Sequence, residues 1–135
     1  MPSSAIAELT SYLSSRETSL EWPALAGEPC IADQLIELPL NIRSQLTYFE
    51  GHFPSQPVLP GVVQIHWAAE LSKLIFKLDG FSTLQGLKFN SMILPDTIVT
   101  LALAFNQEKN QVKFTYFMDQ QRFSLGTIIF SGMTS

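Results

Sequence analysis

Residues 48–63 read Tyr-Phe-Glu-Gly-His-Phe-Pro-Ser-Gln-Pro-Val-Leu-Pro-Gly-Val-Val, and the rest of the chain is organised around them. Within 50–61 (EGHFPSQPVLPG) fall three of the eight prolines and two of the seven glycines. That density excludes helix and regular strand, and it sets most φ angles in advance. A flexible linker would use Gly and Ser without Pro. A loop stiffened in this way holds something in place.

Immediately after it a helix is expected from about Gly61 to about Leu78. Val62, Val63, Ile65, Trp67, Ala68, Leu71, Leu74, Ile75 and Leu78 cover most of its circumference, so it must be buried on most sides. Glu70, Lys73 and Lys77 leave one narrow polar stripe, and Asp79-Gly80 ends the helix. Upstream, Ile6, Leu9 and Leu13 share a face of a short amphipathic helix over 3–14. Residues 15–29 read as a polar connector with Pro23, Gly27 and Pro29. The stretches 33–40 and 43–49 are strand-like but irregular, and Pro39 points to an edge or a bulge.

Downstream everything reads as strand: 84–89, 92–94, 97–105, 111–118 and 122–131. The last three are joined by the polar turns NQEKN and Asp119-Gln120-Gln121. Val99, Leu101, Leu103 and Phe105 fall on one face of their run, and Val112, Phe114, Tyr116 and Met118 on one face of theirs. Both faces of 97–105 are largely apolar, so its outer face is expected to meet something too. The layers give an α+β domain in which an antiparallel sheet wraps one long central helix. Residues 1–28 read as an N-terminal helical extension and connector, and 29–135 as the domain proper.

Composition narrows the function classes. The chain has 135 residues, a net charge of −4, 46% hydrophobic residues with ten Phe, and only 15% charged residues. A soluble domain usually carries about 25% charged residues. The shortfall excludes disorder and implies apolar surface buried by a ligand or a partner. Eight Lys and Arg against twelve acids form no basic stripe, so no nucleic-acid partner is expected. Cys30 is the only cysteine, which rules out an internal disulfide and a thiolate metal cluster. The N-terminus has no secretory pattern, and no apolar run approaches the roughly 20 residues of a membrane span. A cytoplasmic location without a membrane span is the expectation.

The two histidines, His52 and His66, flank the stiff loop and lie fourteen residues apart. At about 100° per residue, His66 lies within about 60° of Glu70, Lys73 and Lys77 and opens the polar stripe. From the residues alone, His66 reads equally well as a half-solvated surface histidine. His52 reads equally well as a loop histidine that shapes its turn.

The string from Tyr48 to Val63 resembles the signature of the hot-dog-fold 3-hydroxyacyl-acyl-carrier-protein dehydratases, roughly F-x-G-H-F-P-x-x-P-[VI]-[ML]-P-G-V-[LV]. Leu84 to Asp96 (LQGLKFNSMILPD) is similar to that family's strand ending in a P-G-D turn, with Asp96 directly after Pro95. The resemblance runs over about residues 33–131. It implies the hot-dog fold and dehydration of a 3-hydroxyacyl thioester, carried on an acyl carrier protein, to the trans-2-enoyl thioester.

By that resemblance His52 is the catalytic histidine that removes the C2 proton, and the Gly61 N–H faces the thioester carbonyl. The physics at Gly61 is general. The first N–H groups of a helix lack internal partners and carry the positive end of its dipole. They can therefore stabilise an enolate-like oxygen. Where the family has a carboxylate fourteen residues after the histidine, this chain has His66, which would protonate or position the leaving hydroxyl. Pro60 to Ala68 is similar to the branch associated with aryl-polyene pathways, in which His or Asp stands at this place.

Phe53, Pro57, Val58 and Leu59 would line an acyl tunnel, although loop packing alone also explains them. No cofactor or metal is implied, since two His are too few ligands. The resemblance also implies a homodimer or higher oligomer whose site draws its histidine from one subunit and its second residue from the other. Arg43, Lys73, Lys77, Lys88 and Arg122 are the cations available to dock an acidic carrier protein. The alternatives are a thioesterase on the same fold and a non-catalytic acyl-binding partner subunit.

Overall fold

Alternating burial along the strands builds the sheet. The computed structural model describes residues 2–49, 57–81 and 83–133. Helix α1 spans Pro2–Ser14 and α2 spans Gly61–Phe76. The strands are β1 (Ala24–Leu25), β2 (Cys30–Ala32), β3 (Leu35–Ile42), β4 (Leu78–Asp79), β5 (Thr83–Phe89), β6 (Thr97–Asn106), β7 (Gln111–Met118), β8 (Gln121–Ile129) and β9 (Gly132–Met133). The main sheet runs β1-β3-β6-β7-β8-β5 with every pairing antiparallel, and β2 also pairs with β3.

Period-2 patterning puts Ile36, Leu38, Leu40 and Ile42 of β3 on the inner face. Val99, Leu101 and Leu103 of β6 and Val112, Phe114 and Tyr116 of β7 join them there. They form one buried cluster with Trp67, Ala68 and Leu71 of α2. The apolar circumference of α2 thus has its sheet, and the α+β arrangement expected from the sequence is the one observed.

Helix α2 ends two residues earlier than expected. Lys77 takes the left-handed conformation (φ 56°), and its N–H bonds to the Lys73 carbonyl, which closes the last turn. Leu78 and Asp79 then leave the helix and pair with Met133 and Gly132.

Four other expectations are corrected. The polar connector contains β1, and β2 follows directly after it; both add to β3. Residues 43–49 are not a strand: they form a turn and one 3-10 turn, Thr47–Phe49. Residues 92–94 have no strand partner, although the Leu59 N–H reaches the Ile93 carbonyl at 2.8 Å. Pro39 lies on neither an edge strand nor a bulge. Its missing N–H falls in the gap between the β1 and β2 pairings, where its carbonyl accepts the Ala26 N–H at 2.8 Å.

The N-terminal segment packs into the same core. Leu9, Leu13 and Trp22 are buried within the cluster that holds Trp67 and Leu38. The connector behind α1 is clamped by Arg43, whose guanidinium donates to the carbonyls of Glu17, Ser19 and Trp22.

Candidate active site

The site begins at the N-terminus of α2. Pro60 is the cap residue, in extended backbone and without a side-chain capping bond. The N–H groups of Val63 and Gln64 both turn back to the Pro60 carbonyl, at 3.1 and 3.2 Å. The N–H groups of Gly61 and Val62 are left without a helical partner, at the positive end of the dipole.

Gly61 could not be another residue without movement. A Cβ there would lie 2.5 Å from Cζ of Phe89, the last residue of β5. The Phe89 ring is therefore laid against bare backbone, which only glycine allows. Val58, Leu59, Gly61, Gln64, Phe89 and Met92 contribute to a mostly apolar cleft of about 440 Å³ at this point. Its size suits a small chain-like ligand.

Behind the cleft sits a buried polar residue. Gln64 is 3% exposed, and its polar groups are well used. Its Nε2 donates to the Leu59 carbonyl at 3.1 Å, and its Oε1 accepts the Ser124 hydroxyl at 2.6 Å. Its backbone carbonyl accepts the Tyr116 hydroxyl at 2.7 Å. Burial pushes the Tyr116 phenol well above its usual pKa, so it remains a donor. Two inward-facing residues of the sheet thereby hold the first turns of α2, and Gln64 holds the residue before the cap.

His66 does not line this cleft. Five residues after Gly61, it lies about 140° round the helix and about 7.5 Å along it. It is exposed, on the same stripe as Val62, which is 72% exposed. Among the described residues its one ring neighbour is Trp22, with centroids 5.8 Å apart and planes at 48°. Glu70, one turn on, pairs with Lys73 at 3.2 Å.

Of the residues expected at the site, Val58, Leu59 and Gly61 come together, and His66 faces another side of the helix. Pro57 is half-buried beside Val58. His52 and Phe53 lie outside the described residues. The five candidate docking cations divide sharply. Arg43 is spent on backbone carbonyls, Lys73 on Glu70 and Lys77 on Glu8 at 2.6 Å. Among the described residues Lys88 and Arg122 have no carboxylate partner. Lys88 precedes Phe89, and Arg122 precedes Phe123, whose carbonyl accepts the N–H groups of Asn90 and Ser91 in the cleft wall.

Sequence reading missed Trp22, Gln64 and Phe89. The signal for Trp22 was a large aromatic residue in a polar connector, and for Gln64 an amide on the apolar side of a greasy helix. Phe89 carried no such signal. Among the described residues no three His, Cys, Asp or Glu side chains gather as a metal site, and no helix is long and apolar enough to cross a membrane.

The family profile described as ApeI-like, ApeI dehydratase, matches residues 29–127. A 3-hydroxyacyl-[acyl-carrier-protein] dehydratase FabZ of Novosphingobium aromaticivorans is 27% identical over 100 residues, covering 61% of this chain. The chain spans 63% of that relative's length. Among solved structures, the dehydratase heterocomplex ApeI:P of Xenorhabdus doucetiae aligns with a TM-score of 0.74 and 30% identity, over 81% of this chain and 97% of that one. An uncharacterised protein of Erwinia carotovora aligns with a TM-score of 0.72 and 27% identity, over 82% and 97%.

Proposed function

The chain belongs to the ApeI-like dehydratase family, and on that premise we propose that it removes water from a 3-hydroxyacyl thioester borne on an acyl carrier protein. The thioester carbonyl sits at the Gly61 N–H, where the helix dipole stabilises the charge that develops on oxygen. His52 takes the C2 proton as general base. The electron pair left on C2 forms the C2–C3 double bond as the 3-hydroxyl departs, and His66 supplies or orients the proton that leaves with it as water. The observation that carries this reading is that the Gly61 and Val62 N–H groups, which have no helical partner, stand beside an apolar cleft of about 440 Å³.

The same geometry supports an assembly. Because His66 faces away from the cleft of its own chain, it serves the cleft of a second copy. The exposed Val62 on its stripe supports a covered face there. Strand β5 is the end of the sheet, and six of its seven residues are exposed, Leu87 and Phe89 among them. A free apolar edge of this kind is open to pairing by another chain. A homodimer extends the sheet through β5, and Lys88 and Arg122 dock the acidic carrier. The substrate class is that of aryl-polyene-type synthesis, which the family assignment favours.

Two experiments test this. Mass spectrometry of a 3-hydroxyacyl-loaded carrier protein, incubated with the purified chain, should show loss of one water from the intact acyl group. Hydrolysis to free carrier would instead indicate a thioesterase. Mixing His52→Ala and His66→Gln subunits should restore activity that neither has alone. No restoration would place both histidines in one subunit's site, or assign the second residue to a different subunit, as the heterocomplex of the Xenorhabdus relative allows.

A further inference from the structure

We infer that Trp22, which lies ahead of the family-matched region at residues 29–127, is a positioning residue for His66. The inference rests on the dehydratase reading for the role of His66. It does not rest on that reading for the contact itself.

His66 is exposed on the outer stripe of α2, and among the described residues no hydrogen bond restrains it. An unrestrained side chain on a helix surface samples several rotamers. A group that must meet a leaving hydroxyl in one geometry loses rate when it does so, because productive alignment is then no longer pre-set. The Trp22 indole supplies the missing restraint, at 5.8 Å between ring centroids.

Trp22 is itself held from every side. It is 9% exposed, stacks on Trp67 at 6.4 Å, and receives the Tyr12 ring edge-on at 5.3 Å. Its carbonyl accepts Arg43 Nη2 at 2.7 Å. The preceding carbonyl, of Glu21, accepts Trp67 Nε1 at 3.0 Å and the Tyr48 hydroxyl at 3.2 Å. The charged groups around the pair are already engaged. Arg16 lies over the Tyr12 ring at 3.5 Å and 5.9 Å from that of Trp22, and Glu70 is paired with Lys73. A rigid wall built by the N-terminal segment thus faces the exposed imidazole of His66. The segment contributes a surface to the site in addition to its packing in the core.

The test joins a spectroscopic arm to a kinetic one. A protonated imidazole quenches an indole it touches. Tryptophan emission of the native protein should therefore fall on acidification. The fall should vanish in Trp22→Phe and in His66→Gln and survive in His52→Ala. In turnover of a 3-hydroxyacyl thioester, Trp22→Ala should lower kcat about 10- to 100-fold with KM little changed, and Trp22→Phe should recover most of that loss. A quenching step that persists without His66 or without Trp22 overturns the contact. Quenching as expected, with kcat unchanged in a folded Trp22→Ala protein, overturns the positioning role. A native protein that shows the quenching but forms no enoyl product overturns the dehydratase reading, and with it the catalytic use of the contact.

Discussion

The Ser124 hydroxyl donates to Oε1 of Gln64 at 2.6 Å, a buried bond that ties the middle of β8 to the first turns of α2. Gln64 in turn holds the Leu59 carbonyl, so the helix start that presents Gly61 is fixed from inside the protein. Gln64→Leu leaves the Ser124 hydroxyl and the Leu59 carbonyl buried without partners. Each such group costs about 1–3 kcal/mol, so the variant should unfold at clearly lower denaturant concentration. Adding Ser124→Ala should return part of the loss, because one orphan is then removed. A double mutant that is simply the sum of the two singles would show that the bond does not couple them.

Gly61→Ala should place its methyl carbon against the Phe89 ring. Overpacking of this sort costs about 1–3 kcal/mol, and the cleft should admit substrate less well. Phe89→Leu should relieve the clash, so the double variant should be more stable than Gly61→Ala alone. Denaturant melts of the four proteins in the cycle give the coupling directly.

Lys88→Glu and Arg122→Glu together should weaken use of a carrier-borne substrate while sparing a short thioester mimic. Reversing charges at the rim of a docking surface acts mainly on association and its salt dependence. A rise in KM of about tenfold, equivalent to ~1.4 kcal/mol, is expected for the carrier-borne substrate at low salt. The gap should close as salt is raised.

Tyr116 makes stability fall at alkaline pH. Burial raises its pKa above the ordinary 10.0 in the folded protein. The unfolded chain then gives up that proton near pH 10 while the folded chain retains it. The contribution is complete below pH 10 and is lost as pH climbs toward the folded value, by up to about 1.4 kcal/mol per unit. Tyr48 is shifted the same way, by burial and by Glu21, and adds to the slope. Tyr116→Phe should be less stable at neutral pH, having lost the bond to the Gln64 carbonyl. It should also show a shallower decline above pH 10 in denaturant unfolding.

The long helix and the meander were legible because their periods are strong. The apolar rows of β3, β6 and β7 alternate cleanly, and α2 is apolar on most of its circumference. What could not be read were features set by tertiary geometry. The strand-like composition of 43–49 became a turn, Leu46 being buried and Arg43 turned to the connector carbonyls. Two residues of Ala24–Leu25 are too few to show a period, yet β3 recruits them as a strand. At the site, Val58, Leu59 and Gly61, which share the cleft, all stand in the motif. The cleft's far wall, Phe89, was not legible, because it comes from a strand 28 positions on, and only the folded sheet brings it to Gly61. The direction of His66 away from the cleft was implicit in five residues of helix. Its neighbour Trp22 was not, since no local pattern links a connector to a helix 44 residues later.

The most direct measurement is the rate at which the purified chain forms the conjugated enoyl thioester from a 3-hydroxyacyl-carrier substrate, followed by its ultraviolet absorbance beside an assay for free thiol. The native protein should form enoyl product without releasing thiol, and His52→Ala should lower that rate by about 10²- to 10⁴-fold, the range for a general base. Thiol release without enoyl product, or an enoyl rate that His52→Ala leaves intact, would contradict dehydration at this site.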